Sequence, residues 1–322
     1  MPQFDVISIG AATIDTIVKS KDFKLVKNAE FNTGMAICEM YGSKTELDDF
    51  FVSSGGGATN SACSLSHFGL KTNCISAIGN DVFSEFIYDD LTKFGVDTQN
   101  LIIKKGEKTA FSVILTAPDG GRTVLVYRGV SKGLNLEQIK NLNIDTTWVY
   151  LTNLGLTSKN AFEVIDYLTN KGIKIFWNPG INELNTKDLA NFKNIEILSL
   201  NIEEAAHLSG IKMDDTKQII KSLAEKVTAK TILLTLGEKG AFYINKKNVV
   251  HCSSLKVKVE NTVGAGDAFG SGFLYARIKN QTPEESLKWG IKNSLSVIQK
   301  PGAKEGFATN FEGTEKLLTK SL

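Results

Sequence analysis

Histidine, cysteine and arginine are scarce in this 322-residue chain, and each scarcity excludes something. The three histidines, His67, His207 and His251, and the four cysteines, Cys38, Cys63, Cys74 and Cys252, form no CxxC pair and no ligand pattern on a helix face. A structural zinc site is therefore not expected, and the thiols read as reduced, as in a cytoplasmic protein. Only Arg122, Arg128 and Arg277 are arginine among 37 basic residues, and the formal net charge is +2. A nucleic-acid partner would need a concentrated, Arg-rich surface, so none is expected. No run approaches the roughly 18 apolar residues of a membrane span, and the chain passes from Met1 through Gln3 and Asp5 straight into a strand-like run, so no membrane partner is expected either. Prolines number 5 against 28 glycines, with 42% hydrophobic and 22% charged residues. That is ordinary globular composition, too apolar for disorder.

What is present is an alternation of short apolar runs and helical stretches. Phe4 to Ile9 is rich in β-branched residues and stops at Gly10, as a buried parallel strand does. Similar runs are Asn73 to Ile78, Trp148 to Leu151, Ile173 to Trp177, Ile195 to Leu200 and Thr231 to Thr235. Helical stretches such as Ala58 to Phe68, Ala161 to Asn170 and Thr216 to Val227 fall between them. Strand and helix alternating at intervals of roughly 30 residues imply an α/β fold: a mostly parallel central sheet with helices on both faces. Two stretches break the alternation. Thr109 to Leu115 and Arg122 to Tyr127 read as a hairpin around Pro118-Asp119-Gly120-Gly121. Ile14 to Val18 and Met35 to Tyr41 can supply further strands. A small separate sheet of this kind is either a lid over a substrate cleft or an edge extension.

Two glycine-rich segments carry the chemistry. In Val257 to Phe273, an alternating strand up to Val259 leads into Gly264-Ala265-Gly266-Asp267, and apolar residues then recur at helical spacing. Glycines at a strand-to-helix turn leave the first helical N–H groups uncovered, and with the helix dipole these make an anion site suited to phosphate. Asp267 in the first turn can take a proton from an attacking hydroxyl; a plain helix cap accounts for it equally well. In Ser53 to Gly69, three consecutive glycines precede a helix with Asn60 in its first turns. Such a run suits close backbone approach to a ligand or merely a flexible loop, and an amide there offers donor and acceptor to a polyol. Neither segment reads GxxxxGK[ST], nor GxGxxG after the first strand, which excludes a Walker-type phosphate loop and sharply lowers the dinucleotide reading. The helix-like stretch Thr282 to Gln299 starts with a capping box and proline and buries Leu287, Ile291, Leu295 and Ile298. Trp148, Trp177 and Trp289 read as packing.

The two segments, about 200 residues apart, resemble the paired signatures of the ribokinase-like (PfkB) carbohydrate kinase family. The N-terminal one is Gly55-Gly56 through Asn60 and Ala62, and the C-terminal one is Asn261-Thr262-Val263-Gly264-Ala265-Gly266-Asp267. Between them Asn201 to Glu204 resembles the family's NxxE element and Thr235 to Gly240 its TxGxxG nucleotide loop. Asp15, Gly79-Asn80-Asp81 and Asp119 to Thr123 also stand in family order. The resemblance implies an ATP-dependent kinase acting on a hydroxyl of a small sugar, a pentose or hexose. Asp267 would be the general base, and the N–H groups of Gly264, Ala265 and Gly266 the anion hole. Asp15, Gly56, Gly57 and Asn60 would bind the acceptor. Asn201, Glu204, Thr235, Gly237, Gly240 and Asn293 would bind the nucleotide, with Glu204 holding Mg²⁺ through water and Asn293 beside the adenosine. It further implies one carbohydrate kinase domain over residues 4–315, with core 4–12, 53–100 and 130–315 and lid 13–52 and 101–129; lid sheets in this family often pair between subunits, so a homodimer is an expectation.

The chain also departs from the pattern. The family's C-terminal signature usually begins with Asp, which helps coordinate the ion in potassium-activated members; here Asn261 has lost that charge, which puts in question a K⁺ site near Asn261, Val263 and Gly302. After the central strand stands Asn178-Pro179-Gly180 instead of the arginine of many sugar kinases. Around Asn153 to Gly155 no carboxylate matches the acidic sugar contact of ribokinases. Two other readings remain at this stage. A nucleoside kinase of the same fold would build a base pocket from Phe23, Phe31, Met35, Met40 and Tyr41. A non-catalytic sugar or nucleotide sensor would be expected to lose the base or the anion hole, and both residues sets are retained.

Overall fold

Neighbouring residues of the central strands point to opposite sides of one sheet, and this alternation builds the layers. In the strand Thr146–Leu151, Val149 and Leu151 join a core with Ala161, Val164, Ile165 and Leu168, whereas Trp148 and Tyr150 pack with Phe269, Phe273 and Leu287. Ile175 and Trp177 of Lys174–Trp177 likewise face the first core and Phe176 the second. A strand buried on both faces must be apolar throughout, which is why these segments read as continuous hydrophobic runs.

The computed structural model describes residues 2–28, 34–119, 121–310 and 312–321. Its main sheet has nine strands, in the order Thr319–Ser321, Val249–Cys252, Ala241–Ile244, Thr231–Thr235, Ile197–Asn201, Lys174–Trp177, Thr146–Leu151, Phe4–Ile9 and Thr72–Ile75. The six strands from Thr231–Thr235 to Thr72–Ile75 run parallel, and the remaining three pair antiparallel. Helices Ser158–Asn170, Ile202–Ser209 and Thr216–Lys226 cover one face. Gly57–His67, Ala265–Ile278 and Pro283–Val297 cover the other. Among the described residues no helix is long and apolar enough to cross a membrane.

A second, four-stranded sheet stands apart, in the order Arg122–Tyr127, Ala110–Thr116, Thr13–Lys19 and Asp49–Gly55. Two of its strands are joined directly to the core. Thr13–Lys19 follows Phe4–Ile9 after three residues, and Asp49–Gly55 runs into helix Gly57–His67. A third tie is Asp81, which caps helix Val82–Lys93 through Ser84 N and accepts hydrogen bonds from Thr109 N (2.8 Å) and Thr109 Oγ1 (2.7 Å) at the start of Ala110–Thr116. The GxD segment therefore anchors this sheet.

Three sequence expectations need correction. Met35–Cys38 does not join the small sheet but pairs with Lys24–Lys27 in a separate ribbon. The run Asn73 to Ile78 breaks at Ser76, and Ala77–Ile78 pairs with Ile102–Ile103 outside the main sheet, so the stretch from 101 to 109 belongs beside the core. Val257 to Val259 is not a strand, because the ladder ends where Cys252 pairs Ala241 and Thr319. The chain instead leaves the sheet, and Glu260 N and Asn261 N both donate to Ile298 O (2.8 and 3.2 Å). Gly120 of the hairpin turn lies outside the described residues.

Candidate active site

Two helix N-termini led by glycine meet at the centre of the molecule. Gly56 precedes helix Gly57–His67 with φ 93°, and a Cβ there would come within 2.4 Å of Ala11 O, so the turn admits only glycine. Gly264 precedes helix Ala265–Ile278 with φ 75°, and its Cβ would meet the Ala303 side chain at 2.5 Å. Neither helix has a side-chain N-cap bond, so the first N–H groups remain available to an anion. Across the junction Asn60 Nδ2 donates to Asp267 Oδ2 (2.8 Å). The other amide atom, Asn60 Oδ1, is buried and finds no donor among the described residues. A buried acceptor without a donor is costly, and a ligand hydroxyl satisfies it.

The electrostatics concentrate on three carboxylates. Burial pushes Asp267 above the usual aspartate range, against the Asn60 hydrogen bond and the nearby Lys304 cation, with Asp15 adding repulsion. Asp15 is 7% exposed, and burial raises it too, opposed by Ser112 and Lys304. Its carboxylate occupies the space a Cβ on Gly55 would need (1.9 Å from Oδ2), so the first glycine of the run makes room for an acid. Glu204 is pushed up to about 7 by burial, with Glu203 and Glu183 adding repulsion and Asn201 opposing.

Asp267, Glu204 and Gly57 line one cleft of about 310 Å³ together with Thr152, Asn178 and Arg128. Asn153, Gly155 and Gly180 close its rim. Asn201 and Glu204 form a reciprocal cap at the head of helix Ile202–Ser209, with Glu204 Oε2 accepting from Asn201 N and Asn201 Oδ1 from Glu204 N, both at 2.9 Å. Asn201 pairs in register with Thr235, and Gly237 and Gly240, both at positive φ, form the turn that follows. The sequence-predicted nucleotide residues are thus brought together at one end of adjacent parallel strands, where such sheets bind ligands.

Asn293 is the exception. It is fully buried; Nδ2 donates to Ser64 Oγ (3.0 Å) and Ala268 O (2.8 Å), and Oδ1 accepts from Ala308 N (3.0 Å). It ties three segments together and leaves no side-chain atom facing a nucleotide, so the sequence placement beside the adenosine is corrected. Among the residues offered for a base pocket, Phe23, Met35, Met40 and Tyr41 are not in the lining of the cleft. Phe23 is buried, while Met40 and Tyr41 are exposed; Phe31 lies outside the described residues.

Sequence reasoning missed four residues. Arg128 lines the cleft and pairs with no carboxylate among the described residues, and Thr152 stands against Gly57. Glu183, fully buried and pushed up to about 7 by that burial, accepts Leu154 N (2.7 Å) and Gly180 N (3.1 Å) and so props both rim loops. Lys304 is 4% exposed, with Nζ donating to Ser54 O and Ser54 Oγ (both 2.5 Å) and 3.3 Å from Asp90 Oδ2.

Fold and cleft together define a class: an α/β phosphotransferase with helix N-termini arranged for phosphate beside a buried carboxylate. Residues 3–310 match the model of the pfkB family carbohydrate kinases, and the chain belongs to that family. Members of it are ATP-dependent phosphotransferases. The chain is 29% identical over 258 residues to the ribokinase of Staphylococcus aureus (strain COL), covering 77% of this chain and 83% of that protein. Its fold is similar to that of Arabidopsis thaliana ribokinase complexed with ribose and ATP, with a TM-score of 0.78 at 20% identity over 97% of this chain and 98% of that one. It is likewise similar to Burkholderia thailandensis nucleoside kinase in complex with inosine, with a TM-score of 0.73 at 16% identity and 94% of each chain covered.

Proposed function

We propose that this protein transfers the γ-phosphoryl group of ATP to a hydroxyl of a small free sugar, a pentose or hexose. The observation that carries the reading is the Asn60–Asp267 pair, set between two uncapped helix N-termini with Asn60 Oδ1 unsatisfied. In the reaction the acceptor hydroxyl gives its proton to an Asp267 carboxylate oxygen, and the hydroxyl oxygen forms a bond to the γ-phosphorus. The bond from that phosphorus to the bridging oxygen breaks, and ADP leaves. Asn60 holds Asp267 in the orientation that receives the proton, and Asp15 with the Gly56 and Gly57 backbone holds the remaining hydroxyls. The first N–H groups of the helix at Gly264, Ala265 and Gly266 stabilise the charge that develops on the transferring group.

Glu204 presents one carboxylate to the cleft, a donor set that suits Mg²⁺ held mainly by nucleotide phosphates and water. When bound, the ion neutralises phosphate charge; Asn201 N, donating to Glu204 Oε2, fixes the direction of that carboxylate. The residues from 4 to 315 act as one catalytic domain, the small sheet serving as its lid and excluding competing water. Four apolar or aromatic residues of the exposed lid strand, Val124 to Tyr127, are each 43–56% exposed, which supports a homodimer formed through the lid. Free cysteines support a cytoplasmic location.

The test is a coupled ADP-release assay with MgATP against ribose, fructose, related sugars and nucleosides. Turnover with a sugar is expected. Turnover with nucleosides alone would replace the sugar reading by the nucleoside one, and ATP binding without turnover on any acceptor would favour a sensor.

A further inference from the structure

The loop at residues 261–266 reaches its position by clasping the loop that follows helix Pro283–Val297. Asn261 Nδ2 donates to Lys300 O (3.0 Å) and to Pro301 O, while Asn261 Oδ1 accepts from Val263 N (2.5 Å). Two carbonyls on one side and one N–H on the other fix the amide orientation, since a flip would set oxygen against oxygen. Three residues on, Gly264 lies directly against Ala303. The next residue, Lys304, is buried and turns away to Ser54, the residue before the Gly55–Gly57 run, and to Asp90 of helix Val82–Lys93. Ser54 Oγ also donates to Asp90 Oδ2. One five-residue loop thus joins both glycine turns of the site, by an amide at one end and an ammonium at the other.

The chemistry of this donor set does not fit a bound potassium ion. The carbonyl oxygens of Lys300 and Pro301 already accept from an N–H₂ group, and Asn261 turns its donor, not its oxygen, toward them. The positive charge is supplied nearby by Lys304, whose field acts on both Asp15 and Asp267. We propose that Asn261 and Lys304 are positioning residues that hold the anion-hole loop in place of a monovalent cation, so that this kinase works without potassium. The inference rests on the phosphotransfer reading above only for its activity arm.

The test compares KCl, NaCl and tetramethylammonium chloride at equal ionic strength, by thermal unfolding and by turnover. Wild-type Tm and turnover are expected to be the same in all three salts, within 1–2 °C and twofold, on the order of measurement error. Asn261→Asp sets a carboxylate against two carbonyls, and its Tm is expected to fall in tetramethylammonium and to recover selectively in KCl. Lys304→Met is expected to lower kcat at least roughly tenfold with the KM for ATP within a few-fold. The pair Lys304→Met/Asp90→Asn removes the stranded carboxylate, and it should refold the protein without restoring kcat. A wild-type Tm or turnover that rises several-fold beyond these margins with potassium would overturn the proposal. So would an Asn261→Asp variant indifferent to the cation, or normal kcat in both Lys304 variants. If no sugar is phosphorylated, the phosphotransfer reading fails while the melting arm still decides this one.

Discussion

Asp267 is raised by burial and Asn60, Lys304 and Asp15 set how far; Tyr150 is the other titratable group in its field. If Asp267 is the base, as proposed, it must be ionised, and turnover should fall with acid through a pKa above the usual aspartate range, at a higher pH than an exposed carboxylate would give. A pH–rate profile with its acid limb in the ordinary aspartate range would contradict the burial argument. Asp267→Asn should lower kcat by about 10²–10⁴-fold while the KM for ATP changes little. Glu183 makes a second residue-scale prediction, with the sign set by linkage. Burial pushes its carboxyl up to about 7, above the ordinary glutamate range, so the folded chain keeps a proton that the unfolded chain has already released. Its contribution favours folding most at low pH and declines as pH rises through that window. Melting temperatures at pH 5 and pH 7 should show this decline, and Glu183→Gln should flatten it; an unchanged slope in the variant would assign the decline elsewhere.

At the scale of elements, the site depends on how two helices begin. Gly264→Ala would force an L-residue into the left-handed region at a cost of about 1–2 kcal/mol, and would press a methyl onto Ala303. The expected result is a lowered Tm together with a loss of turnover larger than the stability change accounts for, because the anion hole itself moves. Equal losses in Gly69→Ala, a positive-φ glycine with open space around it, would show that backbone strain alone is responsible. The small sheet, the proposed lid, has its own element-scale anchor in Asp81. Desolvation pushes its carboxylate up, but the hydrogen bonds from Thr109, Ser84 and Phe83 together hold it below the ordinary aspartate range. Asp81→Ala should lower stability by about 1 kcal/mol and raise the acceptor KM, since Thr109 starts a lid strand; a variant that melts early with an unchanged KM would separate the anchor from the lid's function.

For the molecule as a whole, the exposed strand Arg122–Tyr127 is the least explained surface. Val124, Leu125, Val126 and Tyr127 alternate sides of the small sheet, yet all four are exposed, and an open apolar edge is a surface for pairing. Sedimentation should give a dimer at micromolar concentration, and Val124→Glu with Val126→Glu should return a monomer. A wild-type monomer would mean the strand serves only this chain's lid.

The buried parallel strands, the two glycine-led helices and Asp267 were legible in the sequence because each is set by local rules: a side-chain period, a turn that only glycine fits, a carboxylate in a first turn. Asn201 and Glu204 were legible only through their resemblance to the family's NxxE element; that they form a capping box at one helix start is what folding adds. What the sequence could not assign was partnership over long separations. Asn293 carries the same amide as Asn60, yet one is saturated inside the core and the other, bonded to Asp267, keeps a buried oxygen with no donor among the described residues. Val257 to Val259 alternates like a strand but has no ladder beside it. Arg128, Glu183 and Lys304 acquire their places only when loops far apart in the chain meet. Local steric and hydrogen-bonding preferences thus set which elements form and where the chemistry-bearing turns fall. Burial and the neighbours brought by folding decided which polar side chains face the ligand and which hold the protein together.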